Sequence, residues 1–488
     1  MGRRAVTVTL LALVALPFVG AILVALLGER LAPSRFISLA AALAEAALAG
    51  VAIADMSGRI VPSLSWAPGG ILGMVPLSLA LDGLSAPLVA LTALLAVVAT
   101  LASWGIADRP RAHHALLLAL EGAVMCVFLA ADLVLFYVAW EAVLIPMYFL
   151  IGLWGHENRK HAATKFFLFT FVGSAFMLIG VLAAISGTGA TVLSDVPRVL
   201  TPSTQRLVFW LMAAGMLVKL PAFPVHTWLP EAHVEAPTAG SIMLAGVLLK
   251  MGGYGLMRVA APLCPAAFAE AAPILFALGA IGTVYGALAA LAQTDLKRLV
   301  AYSSVAHMGF VLVALATGTA MGFAAAMLVM VSHGLVAGLA FFLVGSLADR
   351  THTRHIAELR GLGGSVPRWS TLFVFTSLAS LGLPALSGFP GELMSVLEAF
   401  KAFEWWSVAA VAGVLLAATY NLRAVRAVVY GEPVERWASL ADVSVREMLA
   451  AAPLVLGIVV LGVWPGVVTA MTEPAVATIV QLVQGGVR

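Results

Sequence analysis

The 488-residue chain is short of charge. Lys, Arg, Asp and Glu together make up 10% of it, against 62% hydrophobic residues and a mean hydropathy of +1.04. Soluble domains carry roughly 25% charged residues, so water cannot be the solvent for this surface, and lipid takes its place. The net charge is only +3 and no basic stripe is present, which excludes a nucleic-acid partner. Cysteine is nearly absent: Cys126 and Cys264 are the two, both in apolar runs. An iron–sulfur cluster usually takes four ligands, so they cannot hold one. Buried free thiols are expected, a disulfide between them being the alternative. No G-x-G-x-x-G turn follows a strand, so no dinucleotide or flavin cradle is expected. Soluble domains and low-complexity linkers are missing as well. The longest polar connections lie near 349–369 and 431–447.

What fills the chain is apolar windows of about 20 residues bounded by charges, Pro or Gly, each long enough for a membrane helix. About 14 follow from this spacing, giving an all-α polytopic fold. They lie near 5–27, 35–54, 83–104, 113–131, 133–154, 163–186, 206–220 with a continuation to 232, 237–260, 271–292, 299–317, 320–348, 370–400, 405–430 and 447–470. The basic-then-apolar start looks like a signal peptide, but its run of about 23 residues exceeds an h-region of 7–15; it is expected to be a retained first span. Connections after odd-numbered spans hold about 16 Lys and Arg, among them Arg109, Arg111, Arg159, Lys160, Lys297, Arg298, Arg350, Arg354, Arg360 and Arg368, against about 8 on the other side. The richer side should be cytoplasmic, with both termini outside, although Arg3 and Arg4 run against that bias.

Ionisable groups inside these windows stand out. Only six lysines exist, and Lys165, Lys219 and Lys250 all fall within spans, with Glu121, Glu141, His307, His333 and Glu392. A charge at mid-bilayer costs about 2.5–3.5 kcal/mol, and such groups by default mark an ion or proton path. Glu141 is the one charge after Asp132 in "DLVLFYVAWEAVLIPMYFLIGLW". It reads either as a structural ion pair, for instance with Lys165, or as a carboxylate that tunes a nearby lysine. A Lys–Glu pair able to separate is a proton switch. Glu121 reads equally as relay or as buried pairing partner. Lys250 precedes "MGGYG", whose glycines admit a close neighbour; it lies too far from either end to snorkel easily. His307 and His333 are candidate relays, since imidazole exchanges protons near neutral pH. His352 and His355 read as a solvated loop rather than a metal site. His226 and His233 flank a helix break, as proton carriers or as hydrogen-bond partners of unwound backbone.

That break is "LVKLPAFPVHTWLPEAH", where Pro221 and Pro224 follow Lys219 at once. A second lies at "LGLPALSGFPGELM", where Pro384, Gly388, Pro390 and Gly391 precede Glu392. The two fall in spans seven and twelve. Interrupted spans at matching positions point to inverted repeats, and unwound backbone at membrane depth needs protein or a water-filled cavity around it. Spans 4–8 and 9–13 are then two inverted five-helix repeats. The expected division is 1–110 for the N-terminal helices, 111–262 and 263–430 for the repeats, and 431–488 for a C-terminal membrane helix.

These stretches also carry a resemblance. "WEAVLIPMYFLIGLWGH", "VKLPAFPVHTWLPEAHVEAPTAGSIMLAGVLLK", "AQTDLKRLVAYSSVAHMGFVL" and "LPALSGFPGELM" resemble the antiporter-like subunits of respiratory complex I, the proton-pumping NADH–quinone oxidoreductase. The M-type chain, equivalent to mitochondrial ND subunit four, is the nearest of them. The likeness covers nearly the whole chain and is strongest over about 130–400; at the termini nothing matches specifically. It implies 14 helices, broken helices seven and twelve, and a proton path on Glu141, Lys219, Lys250 and Glu392 with His307 and His333 as relays. Lys165 and Glu121 are secondary candidates. In this family the helix-five glutamate pairs with the helix-seven lysine, the helix-eight lysine passes the proton inward, and the helix-twelve group is the acceptor. L-type and N-type relatives carry lysine there, so Glu392 implies M-type. So does the lack of the long C-terminal extension of L-type chains. The resemblance further implies a bacterial inner (plasma) membrane location, L-type and N-type neighbours, and no cofactor in this chain. NADH, FMN, iron–sulfur clusters and quinone would belong to partner subunits. The rival reading is a subunit of a multisubunit cation/proton antiporter or of a membrane-bound hydrogenase. A purely structural membrane scaffold is a third.

Overall fold

A computed structural model describes residues 3–26, 31–56, 64–65, 78–193 and 200–485. Among the described residues the regular structure is helical apart from a short antiparallel ladder, Leu64–Ser65 with Ser78–Leu79, and isolated β-bridges. Among the described residues twelve helical segments are long and apolar enough to cross a membrane. In chain order the main helices are α1 (Arg3–Leu26), α2 (Leu31–Ala54), α3 (Ala86–Ala102), α4 (Pro110–Leu129), α5 (Leu133–Trp154), α6 (Arg159–Thr188), α7 (Pro202–Lys219), α8 (Trp228–Glu235) and α9 (Thr238–Leu263). They continue with α10 (Pro265–Leu291), α11 (Leu296–Ala316), α12 (Ala320–Thr351), α13 (Pro367–Ser380), α14 (Gly388–Phe403), α15 (Val408–Val428), α16 (Val445–Val463) and α17 (Gly466–Gly485). Short polar residues start them: Asp132, Thr201, Asp295, Thr319 and Ser444 each accept a hydrogen bond from a first-turn amide.

One expectation needs correcting. A single C-terminal helix over 447–470 is instead two, α16 and α17, parted at Trp464 and Pro465. Proline cannot donate a backbone hydrogen bond, so the helix restarts after it. α17 runs beside the short turn Ala261–Leu263, and the Met471 carbonyl packs on Gly83. Both contacts lie where α9 ends and α3 begins.

The core sits in α9, α11 and α12, which are buried almost throughout, whereas α1, α2, α16 and α17 face mostly outward. The outward face of α6 is an apolar stripe of Leu168, Phe171, Val172, Phe176, Ile179 and Leu182. Exposed Trp405, Trp406 and Trp464 lie at helix ends, where indoles favour the lipid–water boundary. Small residues set two tight seams. α10 and α11 meet backbone to backbone: a Cβ on Gly309 would come 2.7 Å from the Gly279 carbonyl oxygen, and one on Gly286 would come 2.6 Å from the Ala306 nitrogen. α9 is clasped at Gly252 by Met216 and Leu220 of the first break, and at Gly253 by Met330 and Val311 of the second half. The glycines after Lys250 therefore do admit close neighbours, on both sides.

Candidate proton-path site

Both breaks form as their Pro and Gly residues dictate, and they end alike. At the first, the Leu220 amide still bonds Met216, then the Ala222 amide reaches Leu217 at 2.9 Å. At the second, the Leu381 amide bonds Ser377 and the Leu383 amide reaches Leu378 at 3.1 Å. Each helix thus closes with one amide reaching five residues back, and its remaining carbonyls need other donors. The Trp228 indole donates to the Val218 carbonyl at 3.0 Å. His307 Nε2 lies 3.0 Å from the Ser380 carbonyl. The Phe223–Pro224 peptide is cis, and Gly382 and Ala385 have φ of 76° and 72°.

Lys219 ends α7 fully buried, its ammonium 4.9 Å from the centre of the Trp140 ring and with no hydrogen-bond partner. A ring face attracts a cation, by about 2 kcal/mol when both are desolvated. Glu141, the next residue along α5, lies close enough to interact electrostatically with Lys219 and sits beside Ser174, but forms no ion pair with the lysine. Lys219 and Glu141 are thus near neighbours with no ion pair between them among the described residues.

Lys250 is completely buried between two π-helical turns of α9, Leu244–Leu248 and Leu256–Ala260. Such turns recur at functional sites because they release backbone groups. Lys250 Nζ donates to the Ala245 carbonyl and lies 2.6 Å from His333 Nδ1. The His333 ring lies 5.5 Å from that of His307, and His307 Nε2 lies 3.4 Å from Glu392 Oε1. Lys250, His333, His307 and Glu392 thus form one chain of neighbours. The hydrogen bonding fixes their roles. With Lys250 as an ammonium, which has only donors, His333 Nδ1 would accept and its proton would sit on Nε2, an atom with no partner among the described residues. Both nitrogens of His307 face carbonyls, Nδ1 that of Ser303 at 2.7 Å, which fits the imidazolium, donating from both. His307, His333 and Glu392 line a cavity of about 40 Å³ with Ser303, Ser377 and Asn421, enough for two or three waters at roughly 10–15 Å³ each. Gly382 permits the close approach of Glu392: a Cβ there would lie 3.0 Å from Oε2.

Other candidates fall elsewhere. Lys165 does not pair with Glu141; its ammonium meets Glu231 on α8 at 2.5 Å, with His161 3.3 Å from the same carboxylate. Glu121 faces Glu45 on α2, a partner that sequence reasoning missed. His226 packs between the rings of Phe223 and Tyr285, and His233 stacks on Phe341 at 4.3 Å with both nitrogens unpaired. The freed backbone of the first break is bonded by Trp228 instead. Glu231, Trp140 and Trp228 also went unnoticed. Their only signal was position, next to Glu141 or within "HTWLPEAH". Cys126 and Cys264 are free. Outside the spans, Asp82 binds Arg258. Burial pushes its carboxyl up, but Arg258 and the Ser85 and Leu84 amides outweigh this and hold it below the usual 3.8.

The chain is similar to several known proteins. Residues 130–417 match the family model described as "NADH:quinone oxidoreductase/Mrp antiporter, TM". The NADH-quinone oxidoreductase subunit M of Rhodobacter capsulatus is 41% identical over 449 residues, covering 89% of this chain and 87% of the relative. A chain of respiratory complex I from Thermus thermophilus superimposes with a TM-score of 0.89 at 33% identity, over 97% of this chain and 99% of that one. A chain of the Mrp complex from Dietzia sp. DQ12-45-1b gives 0.85 at 19% identity, over 98% and 99%, which speaks to the fold alone.

Proposed function

Because the chain belongs to the NADH:quinone oxidoreductase/Mrp antiporter transmembrane family, we propose that it is the M-type, proton-translocating membrane-arm subunit of an NADH–quinone oxidoreductase. It is a translocase component without a redox group of its own, in the inner membrane of a bacterium. Quinone reduction in other subunits drives it, and L-type and N-type antiporter-like chains flank it. The reading includes 14 spans, two inverted five-helix repeats at spans 4–8 and 9–13, and both termini outside. The like-ended breaks support the repeats.

The observation that carries the function is the contact chain from Lys250 through His333 and His307 to Glu392. Protons pass along it in order. His307 releases its Nε2 proton to Glu392. His333 Nδ1 takes a proton from Lys250, and the resulting imidazolium passes its Nε2 proton through the cavity to the vacated Nε2 of His307; Lys250 is recharged from Lys219. Glu141 sets the direction: approaching Lys219 it holds the ammonium charged, and withdrawing it leaves a desolvated cation that gives up its proton. Lys219→Ala or Glu141→Ala should abolish coupled proton pumping in proteoliposomes while the complex still assembles on native gels; normal pumping in both variants would overturn the proposal. The quinone-oxidoreductase reading is preferred to the cation/proton antiporter because the relative at 41% identity carries that name, whereas the likeness to the Mrp chain, at 19%, shows only the fold.

A further inference from the structure

A second set of buried ionisable groups lies in the N-terminal bundle, before the segment matched by the family model. Glu45 of α2 and Glu121 of α4 are each at most 1% exposed and face one another within hydrogen-bond reach. Among the described residues neither carboxyl has an ion-pair partner, and both oxygens of Glu45 lack any other donor. They lie at similar depth, about 12–14 Å from the ends of their helices at 1.5 Å per residue. Two carboxylates in contact in a low-dielectric interior cannot both ionise; one carries a proton that the other accepts.

Polar groups continue from this pair toward the end of the bundle where α2 and α4 begin. Ser38 lies two turns before Glu45 and His114 two turns before Glu121, so each falls on the same helix face as its carboxyl. Both are 0% exposed, and neither the Ser38 hydroxyl nor either His114 nitrogen has a partner. Next come Arg35, over the Trp104 ring at 5.2 Å, and His113, whose Nε2 meets the Ser103 hydroxyl at 2.8 Å. One apolar step, Ala41 against Leu118 and the backbone of Gly20, separates the carboxyls from these groups. The described side chains of α1 and all of α3 bring no titratable group. α5 and α9, which also pack on α4, turn Glu141 to Lys219 and the Tyr254 hydroxyl to the Phe128 carbonyl. Two carboxyls and one hydroxyl are too few oxygens for a divalent hard cation, which takes six or more, and α2 and α4 are unbroken at this depth, so they free no carbonyls.

We infer that Glu45 and Glu121 share one exchangeable proton and form a third proton-holding site, outside both broken-helix halves, that fills through His114, with Arg35 beside it as a fixed charge that passes no proton. The test is infrared difference spectroscopy on the intact complex, with and without D₂O. Wild type should show a protonated carboxyl C=O band that shifts on deuteration. Glu45→Gln should displace it, and Glu45→Gln with Glu121→Gln should remove it. His114→Phe should keep the band but slow its deuteration at least tenfold. An unchanged band in the double variant would overturn the shared proton. Unslowed exchange in the His114 variant would overturn the route. Loss of the wild-type band on adding sodium alone would replace the proton site by a cation site. Native gels on each variant confirm assembly, and Glu45→Asp, which keeps a carboxyl, should restore a deuterium-sensitive band.

Discussion

Lys250 shows how one residue can be costly and still indispensable. Its ammonium is completely buried, and its bonds to Ala245 and His333 are its compensation. Lys250→Met removes a desolvated charge but leaves the Ala245 carbonyl and His333 Nδ1 without their donor, so a loss of about 1–3 kcal/mol is expected. Proton uptake per quinone reduced should fall at least tenfold; uptake that stays normal would take Lys250 out of the path. Lys219, Lys250 and Glu392 were legible in the sequence because each is a lone charge in an apolar run. Glu45 is equally a lone charge in an apolar run and went unread, because the partner that gives it meaning, Glu121, lies on another helix. Glu231 went unread as well, and only the fold reveals it as the partner of Lys165. Their ion pair is partly exposed, so Lys165→Ala, Glu231→Ala and the double variant should return a coupling energy below about 1 kcal/mol in a thermal-unfolding cycle.

At the scale of elements, the two breaks are stable because their loose ends are tied. Trp228→Phe keeps the ring but removes the donor to Val218, leaving a buried carbonyl unsatisfied; a loss of about 1–3 kcal/mol is expected, read as a fall in the melting temperature of the complex. Gly382→Ala places a side chain at φ 76°, where L residues are strained by about 1–2 kcal/mol, and presses it on Glu392 Oε2. Pumping should fall more than stability does, measured as proton uptake against melting temperature. The existence and position of both breaks could be read from Pro221, Pro224, Pro384 and the glycines before Glu392. What closes them could not: Trp228 lies within the first break's own stretch but nothing there marks its indole as the donor, and His307 is 73 residues from the Ser380 carbonyl. The split at Trp464 and Pro465 escaped notice because the apolar run continues through it.

For the whole molecule, Arg258 and Asp82 join α9 to the loop that leads into α3. The folded chain holds Asp82 in its ionised form more tightly than the unfolded chain does, so the pair's contribution is complete above pH of about 4 and fades as pH falls below the usual 3.8. Between pH 5 and 3 the melting temperature should drop in wild type and change less in Asp82→Asn. The variant should start lower, by about 3–5 kcal/mol, because Arg258 is left unpaired. The seam between α10 and α11 has a wider consequence. Gly279, Gly286 and Gly309 leave no side-chain cushion there, and Gly391, beside Glu392, would likewise place a Cβ 2.9 Å from the Val329 nitrogen of α12. Both ends of the His307–Glu392 pair are thus seated on close-packed helix seams.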